Sequence, residues 1–488
     1  MHAFGDMIDR KVSLMACDTE IVREIRPPWV GLYQRIWDDG TIRELCNKRL
    51  LVDTKRCLEQ HVDTSGKLRF SQPRLPYVSY PHEWSASMFM AAAETCLSMH
   101  EVLFNKGLCL IDSHPWNILF DGPDPLWVDL TSIETFDSST AHTSLNEFRK
   151  TFLNTLDLLC NGNDEIVRPM LAHRFSTISD ANHHAIIRGG AWRRHRWRTR
   201  LPHAILQTQL HSIRMVQMEW TRFLQFRASD FSSPKQAIKV ITRLRRELAR
   251  LPTAAAAQAS TGSPLSGQEA LGELERKNLT QGAHEHGNPK VRAVEEWLTR
   301  LKSQVRTVLD LGYDGGLFAT FAAIKGYTAA TIAADSSSID SLYAAARKAK
   351  LPIGCSVVDF VSPQEGNGML TNPLPRFVDR FRSDLVILTG AIHHLYFGKY
   401  RMSFRSIARL LSMYARRFLI IEYIPGTDAL LRDLHGNATL GAEYTLECFA
   451  SEFSCHFRTL EILPSVPVGR FVYLMEKSSL PDFANGKR

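Results

Sequence analysis

The stretch VLDLGYDGGLFATFAAIKG, residues 308–326, constrains the fold of this chain more than any other segment. An apolar run ends at Asp310, three glycines follow within six residues, and an alanine-rich segment continues from there. Glycine adopts positive φ at low cost and lets the backbone approach a ligand closely. The pattern therefore predicts a strand, a tight turn and a helix, with a ligand bound at the turn.

Two carboxylates on this turn, Asp310 and Asp314, indicate the charge of that ligand. The amino end of a helix attracts anions, and acids placed beside it would repel a nucleotide phosphate. The dinucleotide pattern GxGxxG is also missing, because Asp314 occupies the position of its second glycine. S-adenosylmethionine has no phosphate and carries a sulfonium and an α-ammonium group, which carboxylates attract. The loop therefore predicts this cofactor, bound by Asp310, Gly312, Asp314 and Gly316.

Short β-rich runs alternate with helical segments over residues 291–488, which is typical of a doubly wound sheet. We predict strands at 306–311, 328–333, 353–358, 384–388 and 417–422, and crossover helices at 316–325, 337–350 and 401–414. Two last runs, 457–463 and 469–476, are joined by PSVPV, which is too short for a parallel return. The predicted class is therefore α/β, with a Rossmann-like seven-stranded sheet that ends in an antiparallel hairpin.

Acidic residues also follow the second and third predicted strands. Asp335 lies 25 positions after Asp310, close to the ~20-residue interval at which an acid reaches the ribose hydroxyls in such folds. Asp359 follows the third strand, where a carboxylate can accept a hydrogen bond from the adenine amino group. A single aspartate in such a place could simply cap a helix or a turn. Three of them after three successive strands favour a cofactor site.

The order of these residues between Val305 and Lys477 resembles the class I S-adenosylmethionine-dependent methyltransferase family. The resemblance implies that the fourth strand ends at the transferred methyl group, with Thr389 beside the cofactor and His393 and His394 near the reaction centre. Histidine can supply the base that methyl transfer to a hydroxyl or a protonated amine needs. Alternatively, both histidines cap the strand and pack against the next helix. Asp314 departs from the family, in which most members have a small residue at this position.

The same resemblance implies an enzyme that transfers a methyl group to an oxygen or nitrogen of a small-molecule, glycan or lipid-linked acceptor. No metal site is assigned. Glu422 at the end of the fifth strand could join the two histidines, but no spacing rule requires it. The nine cysteines are scattered without the spacing of a zinc site.

The N-terminal half contains a second motif, in which Asp112 lies five residues before Asn117 and Asp129 ends a later apolar run. It resembles the catalytic segment of protein-kinase-like phosphotransferases, where the first Asp is the base and the other two residues bind magnesium. No glycine-rich phosphate loop with a following strand lysine is evident upstream. Two interpretations remain open: a kinase-like remnant whose polar residues hold the turn by hydrogen bonds, and a magnesium- and nucleotide-dependent phosphotransferase, alone or beside methyl transfer.

Two short segments connect the halves of the chain to one family. YPHEWS at residues 80–85 precedes the motif around Asp112, and IHHL at residues 392–395 ends the fourth strand. Together they resemble a bacterial family in which such an N-terminal region precedes a methyltransferase domain. The resemblance implies a part in making or decorating a lipo-oligosaccharide nodulation signal or another host-recognised product.

Composition suggests how the 488 residues are divided, because a chain of this length exceeds one ordinary core. Residues 251–290 are rich in Ala, Ser, Gly and polar residues and are predicted to be a flexible linker. The linker would separate a mixed α+β domain at residues 1–250 from the methyltransferase domain at 291–488. Apolar residues at helical spacing predict a long helical tract at 203–250 that packs onto the N-terminal domain.

The net charge of +8 is concentrated in RGGAWRRHRWRTR, residues 188–200. Interleaved arginines and tryptophans could contact RNA, which makes an RNA- or protein-interacting protein with a retained cofactor domain a third hypothesis. A solvated segment explains one short cluster more simply, so we expect no nucleic-acid partner. No apolar run approaches the ~20 residues of a membrane-spanning helix. Acids at Asp6 and Asp9 are atypical of a secretory signal, so we expect a cytoplasmic protein.

Overall fold

The computed structural model describes residues 10–17, 19–57, 68–174, 176–187, 226–251, 288–312, 315–367, 374–428, 431 and 443–478, together with the backbone of 2–4. Asp314, the basic cluster at 188–200, residues 203–225 of the predicted helical tract and nearly all of the predicted linker lie outside the described residues. Within the described ranges, no helix combines the length and the apolar character needed to span a bilayer.

The chain begins with a five-stranded antiparallel sheet in the order β1-β2-β3-β5-β4. Its strands are β1 (His2–Phe4), β2 (Val12–Ala16), β3 (Glu20–Ile25), β4 (Lys55–Arg56) and β5 (Arg69–Pro73). Helices α1 (Val30–Asp38) and α2 (Thr41–Asn47) lie between β3 and β4. Ile25, Tyr33 and Phe70 are buried in one core, because the inward faces of the sheet and helices carry the apolar side chains.

A mainly helical region follows this sheet. It contains α3 (Ala86–Asn105), α4 (Ser138–Phe148), α5 (Asn154–Cys160), α6 (Asp164–Leu171) and α7 (Pro234–Leu248). Two antiparallel pairs lie between α3 and α4: β6 (Leu108–Leu110) with β9 (Ile133–Thr135), and β7 (Ile118–Asp121) with β8 (Asp124–Trp127). Arg245 of α7 bonds Glu94 and Glu101 of α3 at 2.7 and 2.5 Å. The described part of the predicted helical tract therefore packs onto the N-terminal region.

The second half of the chain forms a seven-stranded mixed sheet in the order β12-β11-β10-β13-β14-β16-β15. Its strands are β10 (Thr307–Asp310), β11 (Thr328–Ala333), β12 (Ile353–Val357), β13 (Ser383–Leu388), β14 (Ala415–Tyr423), β15 (Phe457–Pro464) and β16 (Phe471–Lys477). The first five are parallel, and β16 runs antiparallel to both β14 and β15. The architecture is Rossmann-like, and each strand lies within two residues of its predicted bounds.

Among the described residues, seven α-helices accompany this sheet. They are α8 (Pro289–Arg300), α9 (Leu317–Ile324), α10 (Ser336–Ala349), α11 (Phe377–Phe381), α12 (Ile392–Phe397), α13 (Phe404–Tyr414) and α14 (Leu446–Ser454). Three of these, α9, α10 and α13, correspond to the predicted crossover helices. The central strands are buried on both faces, with Val308, Leu309 and Leu385 fully covered, which is the usual state of parallel strands between helix layers.

The strand order identifies where a ligand can reach the sheet. Strand β10 pairs with β11 on one side and with β13 on the other. The chain therefore adds β11 and β12 on one side of β10 and then crosses back to add β13 and β14 on the other. In open α/β sheets such a switch point leaves a crevice at the carboxyl ends of the strands, where ligands bind. Asp310 ends β10 at this point, level with Ile387 of β13. The glycine turn predicted to bind a cofactor therefore lies at the switch point.

Candidate functional site at the carboxyl edge of the sheet

Asp310 shapes the turn that follows β10. One carboxylate oxygen, Oδ1, accepts a hydrogen bond from the Gly312 amide at 3.1 Å. The other, Oδ2, accepts from the amides of Phe318 and Ala319 at 3.2 and 3.1 Å. The side chain is buried at the first turn of α9, where a negative charge is stabilised by the helix dipole. Asp310 thus ties the strand, the turn and the helix together, while direct contact with a cofactor stays a prediction.

The two predicted glycines in this turn hold conformations that larger residues rarely adopt. Gly312 has φ +64°, and a Cβ atom built there would lie 2.3 Å from the carbonyl oxygen of Ile332. Gly316 has φ +79°, and a Cβ atom built there would lie 2.3 Å from the Leu342 side chain. The turn is therefore packed directly on the end of β11, so only glycine fits at residue 312.

Asp335 lies two residues beyond the end of β11 and caps α10. Its carboxylate accepts hydrogen bonds from the amide and hydroxyl groups of Ser337 and Ser338, at 2.5 to 3.3 Å. Partial burial opposes ionisation, but the bonds from Ser338 and Ser337 outweigh it and lower the pKa of Asp335. An ionised, solvent-exposed carboxylate is thus held at the same edge as the glycine turn.

Asp359 lies two residues beyond the end of β12. It accepts a hydrogen bond from the Tyr400 hydroxyl at 2.7 Å and from the Val361 amide at 3.1 Å, with the Lys399 ammonium 3.8 Å away. Asp310, Asp335 and Asp359 all follow adjacent parallel strands of the sheet, as predicted. Their roles toward a cofactor stay predictions, since each carboxylate also has a local capping or turn role.

The turn after β13 is hydrogen-bonded to Glu422, a fully buried residue of the neighbouring strand β14. Its Oε2 accepts from the Gly390 amide at 2.8 Å and lies 3.5 Å from the Lys290 ammonium, while its Oε1 accepts from the Ser465 hydroxyl at 2.5 Å. Glu422 therefore positions the turn that carries Thr389, which is itself buried. The sequence indicated Glu422 only as an option for metal binding and gave no sign of its partners.

His393 and His394, the predicted catalytic residues, occupy the first turn of α12 with their rings 4.0 Å apart. Their environments differ: His393 is 1% exposed, whereas His394 is exposed. A base must reach a substrate proton, so His394 is the better placed of the two, and the burial of His393 agrees with the packing alternative. A catalytic role for either His393 or His394 stays a prediction.

An aromatic cluster beside the histidines was not predicted. Tyr444 lies 4.6 to 6.1 Å, between ring centroids, from Tyr396, Phe397, Phe404 and Tyr423. The hydroxyl of Tyr444 donates to the Ile424 carbonyl at 2.8 Å. Tyr396 and Phe397 are only half-buried. The cluster provides an aromatic wall at the ends of β13 and β14, and its members are too far apart in the chain for a local pattern to reveal it.

The kinase-like motif forms a hydrogen-bonded turn, as the remnant interpretation predicts. The Asn117 amide donates to Asp112 Oδ1 at 2.7 Å, and Asp129 Oδ1 accepts from the amide and hydroxyl of Thr131 at 3.1 and 2.7 Å. Arg23 of β3 places a guanidinium nitrogen 3.7 Å from Asp129 Oδ1. Kinases carry a lysine on the third strand of their first sheet, whereas β3 of this chain carries the cation of Arg23. Whether these residues also bind a nucleotide stays a prediction.

Asp112 offers a test of the structural interpretation. Burial, together with the carboxylates of Glu147 and Asp129, raises the pKa of Asp112 from 3.8 to about 7. A folded-state pKa above the unfolded value means that ionised Asp112 destabilises the fold above pH 7, and that this cost disappears as the pH falls toward 4. Asparagine keeps the oxygen acceptor and removes the charge. We expect Asp112→Asn to raise the free energy of unfolding at pH 8 by about 2–4 kcal/mol, and by less than half of that at pH 5.

Denaturation midpoints of the parent and of Asp112→Asn at the two pH values check this prediction. Asp53→Asn is a suitable control, because Asp53 has 62% side-chain exposure and its replacement should change stability by less than about 0.5 kcal/mol at either pH. Equal midpoints for the parent and Asp112→Asn at pH 8 would show that the Asp112 charge carries no such cost.

Comparison with known proteins finds a distant relative of the chain. No family model matches the chain. Nodulation protein NoeA of Rhizobium meliloti (strain 1021) is 24% identical to it over 451 residues, which cover 90% of this chain and 89% of NoeA. The chain is thus a distant NoeA-like sequence along almost its whole length, which agrees with the bacterial resemblance predicted from YPHEWS and IHHL.

Solved structures that resemble part of the chain include several methyltransferases. The N-methyltransferase NodS from Bradyrhizobium japonicum WM9, in complex with S-adenosyl-L-homocysteine, is 14% identical, with a TM-score of 0.27 and coverage of 44% of this chain and 99% of NodS. The bifunctional kinase-methyltransferase WbdD is 20% identical, with a TM-score of 0.26 and coverage of 38% of each chain. At these values neither structure identifies the activity of this chain.

Proposed function

We propose that the chain is an S-adenosylmethionine-dependent methyltransferase whose cofactor binds at the carboxyl edge of the seven-stranded sheet. The observation that carries the proposal is the position of the glycine turn after Asp310, at the switch point between β11 and β13. Asp335 follows β11 and Asp359 follows β12, the next two strands on one side of β10, so both carboxylates lie at the same edge of the sheet. Carboxylates at this edge favour a cofactor with a cationic end and no phosphate over a dinucleotide.

In this proposal, each residue of the site contacts a different part of the cofactor. Asp335, ionised and exposed, accepts hydrogen bonds from the ribose hydroxyls, and Asp359 accepts from the adenine amino group. The turn at Gly312 and Gly316 lets the backbone approach the ligand, and the predicted contact of Asp314 with its cationic end lies outside the described residues. Thr389, on the turn that Glu422 holds, lines the side from which the methyl group leaves.

The bound cofactor supplies a methyl group already activated on a sulfonium, so the protein needs only to orient the acceptor and take up its proton. His394 is the exposed candidate for that proton. The aromatic wall around Tyr444 provides apolar surface on which an acceptor can be oriented. An oxygen or nitrogen of an acceptor held there would take the methyl group, with S-adenosylhomocysteine as the leaving group and the acceptor proton passing to His394.

The acceptor is proposed to be a small molecule, a glycan or a lipid-linked glycan. The likeness to NoeA along nine-tenths of the chain supports a role in making or decorating a nodulation signal. Loss of one methyl mass from metabolites of cells that lack the protein, measured by mass spectrometry, would identify that acceptor.

Ligand-induced thermal stabilisation tests the choice of cofactor. At a concentration near 100 times its dissociation constant, a ligand of the folded state adds about 2.7 kcal/mol of stability, which raises Tm by about 3 °C in a chain of this length. We expect S-adenosylhomocysteine to produce such a shift in the full chain and NAD⁺ to produce none. A shift with NAD⁺ and none with S-adenosylhomocysteine would overturn the proposal.

A further inference from the structure

Helix α10 connects the proposed cofactor site to the N-terminal half of the chain. It begins at the Asp335 cap, and five residues later it carries Asp340, which is buried at 7% exposure. A buried carboxylate requires donors to replace the water it has lost. The donors come from a segment about 250 residues earlier in the sequence.

Ser87 supplies both of these donors. Its amide donates to Asp340 Oδ1 at 2.7 Å, and its hydroxyl donates to Asp340 Oδ2 at 2.8 Å. Ser87 belongs to the first turn of α3, which begins after the Ser85 cap. The amides of a first helical turn lack partners within their own helix, and the helix dipole favours a negative charge there. Asp340 therefore caps α3 from the other half of the chain.

Two further contacts hold α10 along its length. The Arg168 guanidinium donates to the Ser336 hydroxyl at 3.3 Å, and also to the carbonyls of His82 and Trp84 at 2.9 and 3.0 Å. Ser336 is the residue directly after Asp335. Two turns beyond Ser336, the Tyr343 hydroxyl donates to the Pro123 carbonyl at 3.0 Å. The N-terminal half therefore contacts α10 at three points along its length: Ser336, Asp340 and Tyr343.

We infer that contacts from the N-terminal half fix the position of α10 in the cofactor site. Ser87 and Asp340 are positioning residues that determine where the Asp335 carboxylate meets the ribose. The inference rests on the proposed function. A helix moves nearly as a rigid rod with a rise of about 1.5 Å per residue, so a shift of α10 at Asp340 displaces the carboxylate of Asp335. Hydrogen bonds to the ribose tolerate only a few tenths of an ångström. Cofactor affinity therefore depends on a contact that never touches the cofactor.

Calorimetric titration of the full chain with S-adenosylhomocysteine tests this inference. We expect Asp340→Asn to weaken binding about tenfold, because the amide nitrogen faces a donor of Ser87, and Ser87→Ala to weaken it several-fold by removing one donor. Ser87→Ala leaves the backbone bond in place and is the milder variant if Asp340→Asn folds poorly. Arg245→Ala is the control, since it removes contacts on α3 far from α10 and should leave affinity unchanged.

A double-variant cycle separates positioning from general loss of structure. If Asp340 acts through Asp335, then Asp340→Asn should weaken binding little in an Asp335→Ala chain, whereas independent effects would multiply. Multiplied effects, or unchanged affinity in both Asp340→Asn and Ser87→Ala, would overturn the inference while the proposed function stands. No binding by the parent chain would overturn the proposed function and the inference with it.

Discussion

Replacing Arg380 by alanine should lower the free energy of unfolding by about 3–5 kcal/mol, because it leaves a buried carboxylate without its partner. Arg380 and Glu83 form a two-point ion pair at 2.9 and 2.5 Å, with only 4% and 1% of their side chains exposed. The guanidinium also donates to the Val78 and Pro375 carbonyls and lies 4.0 Å from the ring centre of Tyr80.

Chemical denaturation followed by tryptophan fluorescence measures this loss. Arg376→Ala is the matched control: Arg376 lies one turn earlier, pairs with Asp379 at 2.9 Å and is 65% exposed, so its loss should cost less than about 1 kcal/mol. Similar midpoints for the two variants would show that the Glu83–Arg380 pair does not hold the halves of the chain together. Glu83→Gln should also be strongly destabilising, since it leaves the buried Arg380 guanidinium without its counter-ion.

Gly312→Ala should cost about 3–5 kcal/mol, whereas Gly315→Ala should cost only about 1–2 kcal/mol. Both residues have φ +64°, so the backbone penalty of alanine is the same at both. The difference is space: a Cβ at Gly312 would lie 2.3 Å from the Ile332 carbonyl oxygen, while a Cβ at Gly315 meets no described atom within 4 Å. The end of β11 must move to admit the methyl group at Gly312.

Thermal unfolding of the two variants checks the difference, and titration with S-adenosylhomocysteine shows whether the cofactor turn is displaced. We expect Gly312→Ala to lose measurable binding and Gly315→Ala to keep it. Equal losses of stability in the two variants would mean that the turn does not pack on β11 as described.

The five parallel strands of the second half could be predicted because buried parallel strands appear as uninterrupted apolar runs, and the last two strands because their short connection requires an antiparallel hairpin. Thr328–Ala333 matches its predicted bounds, and Asp310 ends its strand as predicted. Helices α8, α11, α12 and α14 were not predicted, although the Asn288 cap and Pro289 at the first position of α8 are a typical helix-start signal. The first sheet was also missed, because its strands are only two to six residues long and mostly half-buried.

The positions of the candidate site residues could be predicted where the sequence signal is local. The glycine turn, Asp335 and Asp359 each follow a strand directly, and the alternation of strands and helices brings them to one edge. Long-range pairs gave no such signal: Ser87 meets Asp340, and Glu83 meets Arg380, across more than 250 residues. The YPHEWS segment stood out in the sequence by its aromatic content, yet its contacts with the second half could not be inferred. Burial likewise separates His393 from His394, which the sequence treats alike.

The central claim is that Asp335 holds a cofactor at the edge of the sheet, and calorimetric titration with S-adenosylhomocysteine tests it most directly. We expect the parent chain to bind one molecule, and Asp335→Ala to bind about 10- to 100-fold more weakly because two hydrogen bonds to a charged acceptor are lost. Asp137→Ala is the matched control, since Asp137 caps α4 as Asp335 caps α10 and its loss removes a helix cap away from the site. Undiminished affinity in Asp335→Ala, or no binding by the parent, would contradict the claim.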